Sequence, residues 1–285
     1  MITGRTRICG LIGDPVEHSM SPAMHNSAFK NKGIDYVYLP FRVEKEQLGR
    51  AILGVRALNI RGVNVTIPHK VSVIPLLDEL DPLAERIGAV NTIINNDGVL
   101  KGYNTDAHGF LKAMLEHGIS PEGKSVVILG AGGASRAISF ILAERGANLV
   151  ILNRRLEIDW AVKLAASISQ AFSREVKALE LNEQNLAEVL RKGDILVNAT
   201  SVGMSPNTDE TPVPARLLKG DLVVFDIVYN PLKTRLLKEA EDAGAGAIGG
   251  IQMLAWQGAL AFEMWTGLKA PLEIMRKAAI RALKK

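Results

Sequence analysis

The apolar run Val126-Val127-Ile128-Leu129 passes directly into Gly130-Ala131-Gly132-Gly133 and then into the helical pattern beginning Ala134-Ser135-Arg136, and this junction constrains the chain more than any other. A strand that is apolar at every position must be covered on both faces. Glycines at its exit permit a tight turn. A helix starting there aims its unpaired N–H groups, and the positive end of its dipole, at whatever lies over the turn. The alternation then continues. Asn148 to Leu152 reads as a strand, Ile158 to Phe172 as a helix, and Asp194 to Ala199 and Leu222 to Ile227 as two further apolar strands. Strands separated by helices predict a parallel sheet sandwiched between helical layers.

In that context the glycine turn reads as the phosphate cradle of a Rossmann dinucleotide-binding domain. Gly130 makes the turn and Gly132 lets the backbone approach a pyrophosphate, with Ala131, Gly133 and Ala134 completing the cradle. The pattern is GxGGxS, since Ser135 holds the sixth position. Coenzyme choice falls to the end of the next strand, where an Asp or Glu would accept from ribose hydroxyls and repel a 2′-phosphate. This chain has Asn153-Arg154-Arg155 there. A guanidinium forks onto a phosphate with two charge-assisted bonds, so the expected cofactor is NADP. Glu157 and Asp159 stand close enough to serve a ribose, which leaves NAD open. Thr200 and Ser201 after one later strand, and Ile227 at the end of the next, fall where ligands collect in parallel sheets.

The first hundred residues follow a different plan. Strands are expected at Arg7 to Ile12, Tyr36 to Phe41 and Gly62 to Ile67. Helices are expected at Pro22 to Asn31, capped by Ser21, and at Glu46 to Leu58, with a short one from Val71 to Leu77. Val90 to Asn95 and Val99 to Tyr103 read as a hairpin turning at Asn96-Asp97-Gly98. Short polar residues cluster here. Ser19 and Ser21 are one residue apart at a helix entrance. Period-two alternation puts Asn64 and Thr66 on one strand face, with Lys70 at that strand's end. Asn91 and Asp106 lie at the hairpin ends. Such a ledge suits a polyhydroxylated ligand.

Composition narrows the class. A chain of 285 residues favours two domains, and a net charge of +4 without any Lys/Arg run argues against a nucleic-acid partner. A lone cysteine, Cys9, sits in an apolar run and reads as a buried thiol. No secretory apolar region is visible at the N-terminus and no stretch nears the ~20 apolar residues of a membrane helix, so the expected location is cytoplasmic with no membrane partner. The five histidines show no metal-ligand spacing and are expected to pack or lie at the surface; no metal is expected.

Ser19-Met20-Ser21-Pro22, Asn64-Val65-Thr66-Ile67-Pro68-His69-Lys70, Gly88-Ala89-Val90-Asn91-Thr92 and Tyr103-Asn104-Thr105-Asp106 resemble the substrate segments of the shikimate dehydrogenase family, in that family's order. Gly130 to Arg136 and Asn153-Arg154 resemble its cofactor segments, and Gly250-Ile251-Gln252-Met253-Leu254-Ala255-Trp256-Gln257 its C-terminal substrate segment. The resemblance implies an α/β chain with a Rossmann domain (107–249) inserted into a discontinuous α/β sandwich substrate domain (1–106 and 250–285). Two C-terminal helices, Met253 to Trp265 and Leu272 to Leu283, belong to the latter. It further implies that Ser19 and Ser21 hold a substrate carboxylate, that Asn64, Thr66, Asn91, Asp106 and Gln257 bind ring hydroxyls with Tyr229 near them, and that Gly250 joins the cofactor set. Lys70 and Asp106 become the catalytic pair.

The implied reaction is reversible NADPH-dependent reduction of 3-dehydroshikimate to shikimate, a small-molecule step of aromatic amino-acid (chorismate) biosynthesis. Adding hydride to a ring ketone leaves an alkoxide that needs a proton, and a lysine ammonium oriented by a carboxylate can give it. One departure stands out: Ile158 occupies the place where NADP-specific members often carry a further arginine, and Arg155 resembles the quinate/shikimate branch that accepts NAD. The alternatives are therefore such a quinate/shikimate dehydrogenase, or a non-catalytic NADP-binding sensor of shikimate-like ligands. A homodimer is compatible with the sequence, which does not specify it.

Overall fold

The computed structural model describes residues 2–284. The N-terminal part builds a six-stranded mixed sheet from β1 (Arg7–Gly13), β2 (Tyr36–Arg42), β3 (Gly62–Val65), β4 (Glu79–Leu80), β5 (Thr92–Asn96) and β6 (Val99–Tyr103). Their order is β2-β1-β3-β5-β6-β4. β1 runs parallel to β2 and β3, whereas β5 is antiparallel to both β3 and β6. The hairpin between β5 and β6 turns through Asp97 and Gly98, both at positive φ, as a two-residue primed turn requires.

Helices α1 (Ser21–Lys32), α2 (Leu48–Ala57) and α3 (Pro82–Ile87) join these strands. Leu48, Ile52 and Val55 of α2 pack with Val63 and Val65 on one sheet face. Three local expectations change. Ser21 is the first residue of α1 rather than its cap, and its backbone N–H is taken by the Ser19 hydroxyl at 3.2 Å. The third strand stops at Val65, so alternation fails beyond it and Ile67 is 72% exposed. Val71 to Leu77 forms turns and one short 3-10 segment, Ile74–Leu76, with Pro75 inside it.

Helix α4 (Thr105–Glu116) leads into a second sheet of β7 (Ser125–Leu129), β8 (Asn148–Asn153), β9 (Lys177–Glu180), β10 (Ile195–Asn198), β11 (Val223–Asp226) and β12 (Gly246–Gly249). It is parallel throughout, ordered β12-β11-β10-β7-β8-β9. Helices α5 (Gly133–Glu144), α6 (Ile158–Phe172), α7 (Glu183–Leu190) and α8 (Arg235–Asp242) connect its strands. Leu186, Leu190, Leu236 and Leu237 of α7 and α8 close over Val127, Leu129, Leu196 and Val224. The fold is thus α/β with a Rossmann-type sheet, as the strand–glycine–helix junction predicts.

The chain ends in α9 (Ile251–Thr266) and α10 (Leu272–Leu283). It divides into two compact units: residues up to Gly109 with those from Ala255 onward, and Phe110–Leu254. The divisions fall inside α4 and α9. Trp265 of α9 is buried in the first unit, where its indole N–H donates to the Ile93 carbonyl at 3.1 Å. Gly62 is obligatory beneath it, because a Cβ there would lie 2.2 Å from the indole nitrogen. Sequential burial of such strands and helices, at about 25 cal/mol per Å² of apolar surface, is what holds each unit together.

Candidate active site

In the first unit the Lys70 ammonium donates to Asp106 Oδ2 at 2.6 Å, with side-chain exposures of 21% and 11%. Lys70 follows the end of β3, where its carbonyl accepts from the Val90 N–H at 2.8 Å; Asp106 lies in the first turn of α4. Two elements distant in sequence therefore deliver one ammonium and one carboxylate to the same place.

Asn64 of β3 and Asn91, the residue before β5, are buried beside each other. Asn64 Nδ2 donates to the Asn91 carbonyl at 3.2 Å and to Thr92 Oγ1 at 3.0 Å, while Asn64 Oδ1 accepts from the Tyr38 hydroxyl at 2.8 Å. Asn91 Oδ1 accepts the Thr105 N–H at 2.7 Å and lies 3.1 Å from both the Thr92 and Thr105 hydroxyls. A continuous polar chain thus runs from β2 to the start of α4. Tyr38, Thr92 and Thr105 complete it, and none of the three is singled out by the sequence reading. Gln257 reaches the same unit through α9. There Gly109 of α4 packs so closely that an added Cβ would lie 2.8 Å from the Gln257 nitrogen.

Thr66 lies just past the end of β3, half-buried, with its methyl against Gly13 and its N–H donating to the Ile12 carbonyl at 2.9 Å. Ser19 and Ser21 stand at the start of α1. Of the histidines, His69 is buried and its Nε2 donates to the Val43 carbonyl at 2.6 Å. His25 is fully buried and stacked on Tyr38.

The second unit carries the other expected residues. Gly130 has φ +96°, and a Cβ there would meet Thr200 Cγ2 at 3.0 Å and the Ala199 oxygen at 3.1 Å. The loops after β7 and β10 therefore touch at the point where strand order reverses, the position at which open parallel sheets bind ligands. Ser135 donates to the Gly130 carbonyl at 2.6 Å and is buried, which explains its place in the motif: it locks the turn. Gly132 caps α5 without any side-chain partner, and no atom lies within 4 Å of a Cβ built on Gly132 or Gly133. Open space over unpaired N–H groups at a helix start fits a pyrophosphate.

Asn153 Nδ2 donates to the Glu157 carbonyl at 2.7 Å, and the exposed Arg154 guanidinium binds both carboxylate oxygens of Glu157. That pairing raises Arg154 and lowers Glu157 from their ordinary values. Arg155 and Ser201 are exposed, while Ala131 and Ala134 are half-buried beside the turn. Asn198 takes the Thr200 N–H and hydroxyl on its oxygen and donates to buried Asp226, which also accepts from Thr234 Oγ1 at 2.6 Å and the Val228 N–H at 3.0 Å. Burial raises the Asp226 carboxyl, and these donors pull it partly back. The network fixes the loops bearing Thr200 and Ile227. Gly250 packs directly on Ile227, whose oxygen would lie 2.1 Å from any Cβ there. Tyr229 is half-buried on the same loop, and burial raises its phenol.

Among the described residues no helix is long and apolar enough to cross a membrane. The family models described as shikimate dehydrogenase substrate binding domain, shikimate / quinate 5-dehydrogenase and shikimate 5′-dehydrogenase C-terminal domain match residues 11–93, 113–228 and 250–280. The shikimate dehydrogenase (NADP+) of Methanopyrus kandleri is 50% identical over 285 residues, covering 99% of this chain and 98% of that one. A crystal structure of a shikimate dehydrogenase in complex with NADP+ has a TM-score of 0.93 at 45% identity, covering 100% of this chain and 98% of that one. The shikimate 5-dehydrogenase of Listeria monocytogenes, in complex with shikimate and NAD, has a TM-score of 0.93 at 42% identity, with 97% of each chain covered.

Proposed function

The chain belongs to the shikimate dehydrogenase family, and we propose that it catalyses the reversible, NADP-dependent interconversion of 3-dehydroshikimate and shikimate, a step of chorismate and aromatic amino-acid biosynthesis. The observation that carries the reading is the Lys70–Asp106 pair, 2.6 Å apart beside a buried polar ledge. A sensor has no use for that pairing, whereas a ketone reduction needs it.

When bound, NADPH supplies the hydride. Gly130, Ala131, Gly132, Gly133 and Ala134 would hold its pyrophosphate at the start of α5, with Thr200, Ser201, Ile227 and Gly250 lining the adjoining loops. Asn153, Arg154 and Arg155 would meet the adenosine ribose and its phosphate. We assign this unit to the coenzyme and the first unit to the substrate. There Ser19 and Ser21 hold the carboxylate, and Asn64, Thr66, Asn91 and Gln257 hold the ring hydroxyls. Lys70 donates a hydrogen bond to the substrate's carbonyl oxygen, polarises it, and gives up a proton as the oxygen gains negative charge. Asp106 accepts from Nζ throughout and so keeps the ammonium aimed. In the oxidation direction the proton returns by the same path. The single cysteine and the small soluble substrate fit a cytoplasmic enzyme.

Initial rates with shikimate and with quinate, each with NADP+ and with NAD+, test the assignment. Shikimate with NADP+ should give the highest kcat/KM. Fastest turnover of quinate with NAD+ would transfer the chain to the quinate-oxidising branch, and coenzyme binding without turnover would make it a sensor.

A further inference from the structure

We propose that Tyr38, a buried residue of β2, is a positioning residue that acts with the Asn91 carbonyl to fix which end of the Asn64 amide meets the substrate. The inference rests on the reading above that Asn64 lines the substrate site.

Tyr38 is 1% exposed and cannot turn away from its partners. Its ring stacks on His25 with centroids 4.4 Å apart and planes 7° from parallel, and Trp265 packs 6.0 Å away. The ring is thereby held between α1 and α9, and the hydroxyl donates to Asn64 Oδ1 in β3 at 2.8 Å. Burial pushes this phenol well above its ordinary range, so it is neutral at neutral pH.

The hydrogen-bond capacity of the two amides then decides the polarity of the ledge. An Asn side chain has two donor hydrogens and two acceptor lone pairs. Both hydrogens of Asn64 are committed, to the Asn91 carbonyl and Thr92 Oγ1, and one lone pair is committed to Tyr38. What remains is a single acceptor position on Oδ1. Asn91 is arranged the opposite way, because its oxygen is surrounded by the Thr105 N–H and the hydroxyls of Thr92 and Thr105. Its Nδ2 is the end left to donate. Two adjacent amides thus offer one acceptor and one donor, a pattern that a pair of neighbouring hydroxyls satisfies by donating to Asn64 and accepting from Asn91. The Asn91 carbonyl, which can only accept, holds Nδ2 while Tyr38 takes one lone pair of Oδ1, and the flipped amide would set Oδ1 against that carbonyl and place a donor where the substrate hydroxyl must give its own proton.

Tyr38→Phe keeps the ring and removes only the hydroxyl. It should raise KM for shikimate about three- to ten-fold, the worth of one net hydrogen bond, while KM for NADP+ changes less than about two-fold. The decisive measurement is a double-mutant cycle with Asn64→Ala. Acting through Asn64, Tyr38→Phe should have no further effect on shikimate KM in the Asn64→Ala background, whereas a general packing role would raise it equally in both. Thr92→Val, which removes one of the two acceptors holding Nδ2, should behave in the same way and provides a second route if Tyr38→Phe does not fold. Equal effects in both backgrounds, or no change in shikimate KM from either substitution, would overturn the proposal. Should Asn64→Ala itself leave shikimate KM untouched, it is the assignment of Asn64 to the substrate site that fails.

Discussion

The Arg154 guanidinium is already engaged by Glu157, whose two carboxylate oxygens it binds with Nε at 2.7 Å and with Nη2. The fork that a 2′-phosphate would occupy is thus held by an internal carboxylate, on an exposed loop where such a pair is weak and exchangeable. Glu157→Gln frees the fork and removes a repelling charge. It should lower KM for NADP+ about two- to five-fold and leave KM for NAD+ nearly unchanged. Arg154→Ala should act oppositely, weakening NADP+ more than NAD+. Steady-state kinetics with both coenzymes decide it, and parallel changes for the two would remove Arg154 from phosphate recognition.

Lys70 and Asp106 make a sharper prediction. Lys70→Ala or Asp106→Ala should reduce kcat by about 10²–10⁴, the usual range for a positioned acid–base group. Binding of NADP+, followed by fluorescence titration, should survive in both variants, since the residues proposed for the coenzyme lie in the other unit. Unaltered turnover in either variant would exclude that residue from the proton transfer.

The buried His25 gives stability a defined pH dependence. Burial pushes its imidazole down to about 3. Folded protein therefore refuses a proton that the unfolded chain accepts below about pH 6.5. Its contribution is complete above that pH and shrinks as the pH falls toward 3, by about 1.4 kcal/mol per unit. His25→Phe retains an aromatic ring against Tyr38 and removes the titration. Between pH 7.5 and 5.0 the native protein should lose about 2 kcal/mol more than the variant in urea unfolding. Identical losses would mean that His25 is protonated without cost.

Local signals made the second unit readable, because a strand, a glycine turn and a helix follow one another in Val126 to Phe140 and each obeys its own periodicity. The same logic placed Lys70 and Asp106 at element ends. Elements without such signals were not read. Edge strand Gly246–Gly249 has two glycines in four residues, and Arg235–Asp242 is a short, highly charged helix. Helix Thr105–Glu116 was hidden behind the hairpin that precedes it. Of the candidate site, the sequence could nominate Asn64 and Asn91 but not say which end of either amide is free. That depends on Tyr38, 26 positions away, and on Thr105, 14 positions away, contacts that only the fold creates.

Gly109 shows how far such tertiary constraint extends. It lies in α4 one turn beyond Asp106, where α9 crosses it at Gln257. A Cβ at Gly109 would stand 2.8 Å from the Gln257 nitrogen, 2.9 Å from its Cβ and 3.0 Å from its Cα. Backbone atoms cannot swing aside, so Gly109→Ala must push the two helices apart, and overpacking of this kind costs about 1–3 kcal/mol. The displacement falls on the residues assigned to ring hydroxyls and proton transfer. Shikimate KM should rise about ten-fold, kcat should fall, and the thermal midpoint should drop by several degrees. Affinity for NADP+, which depends on the other unit, should hold. If crystals of the variant showed the helices unmoved, or kinetics showed shikimate unaffected, the close approach at Gly109 would serve packing alone.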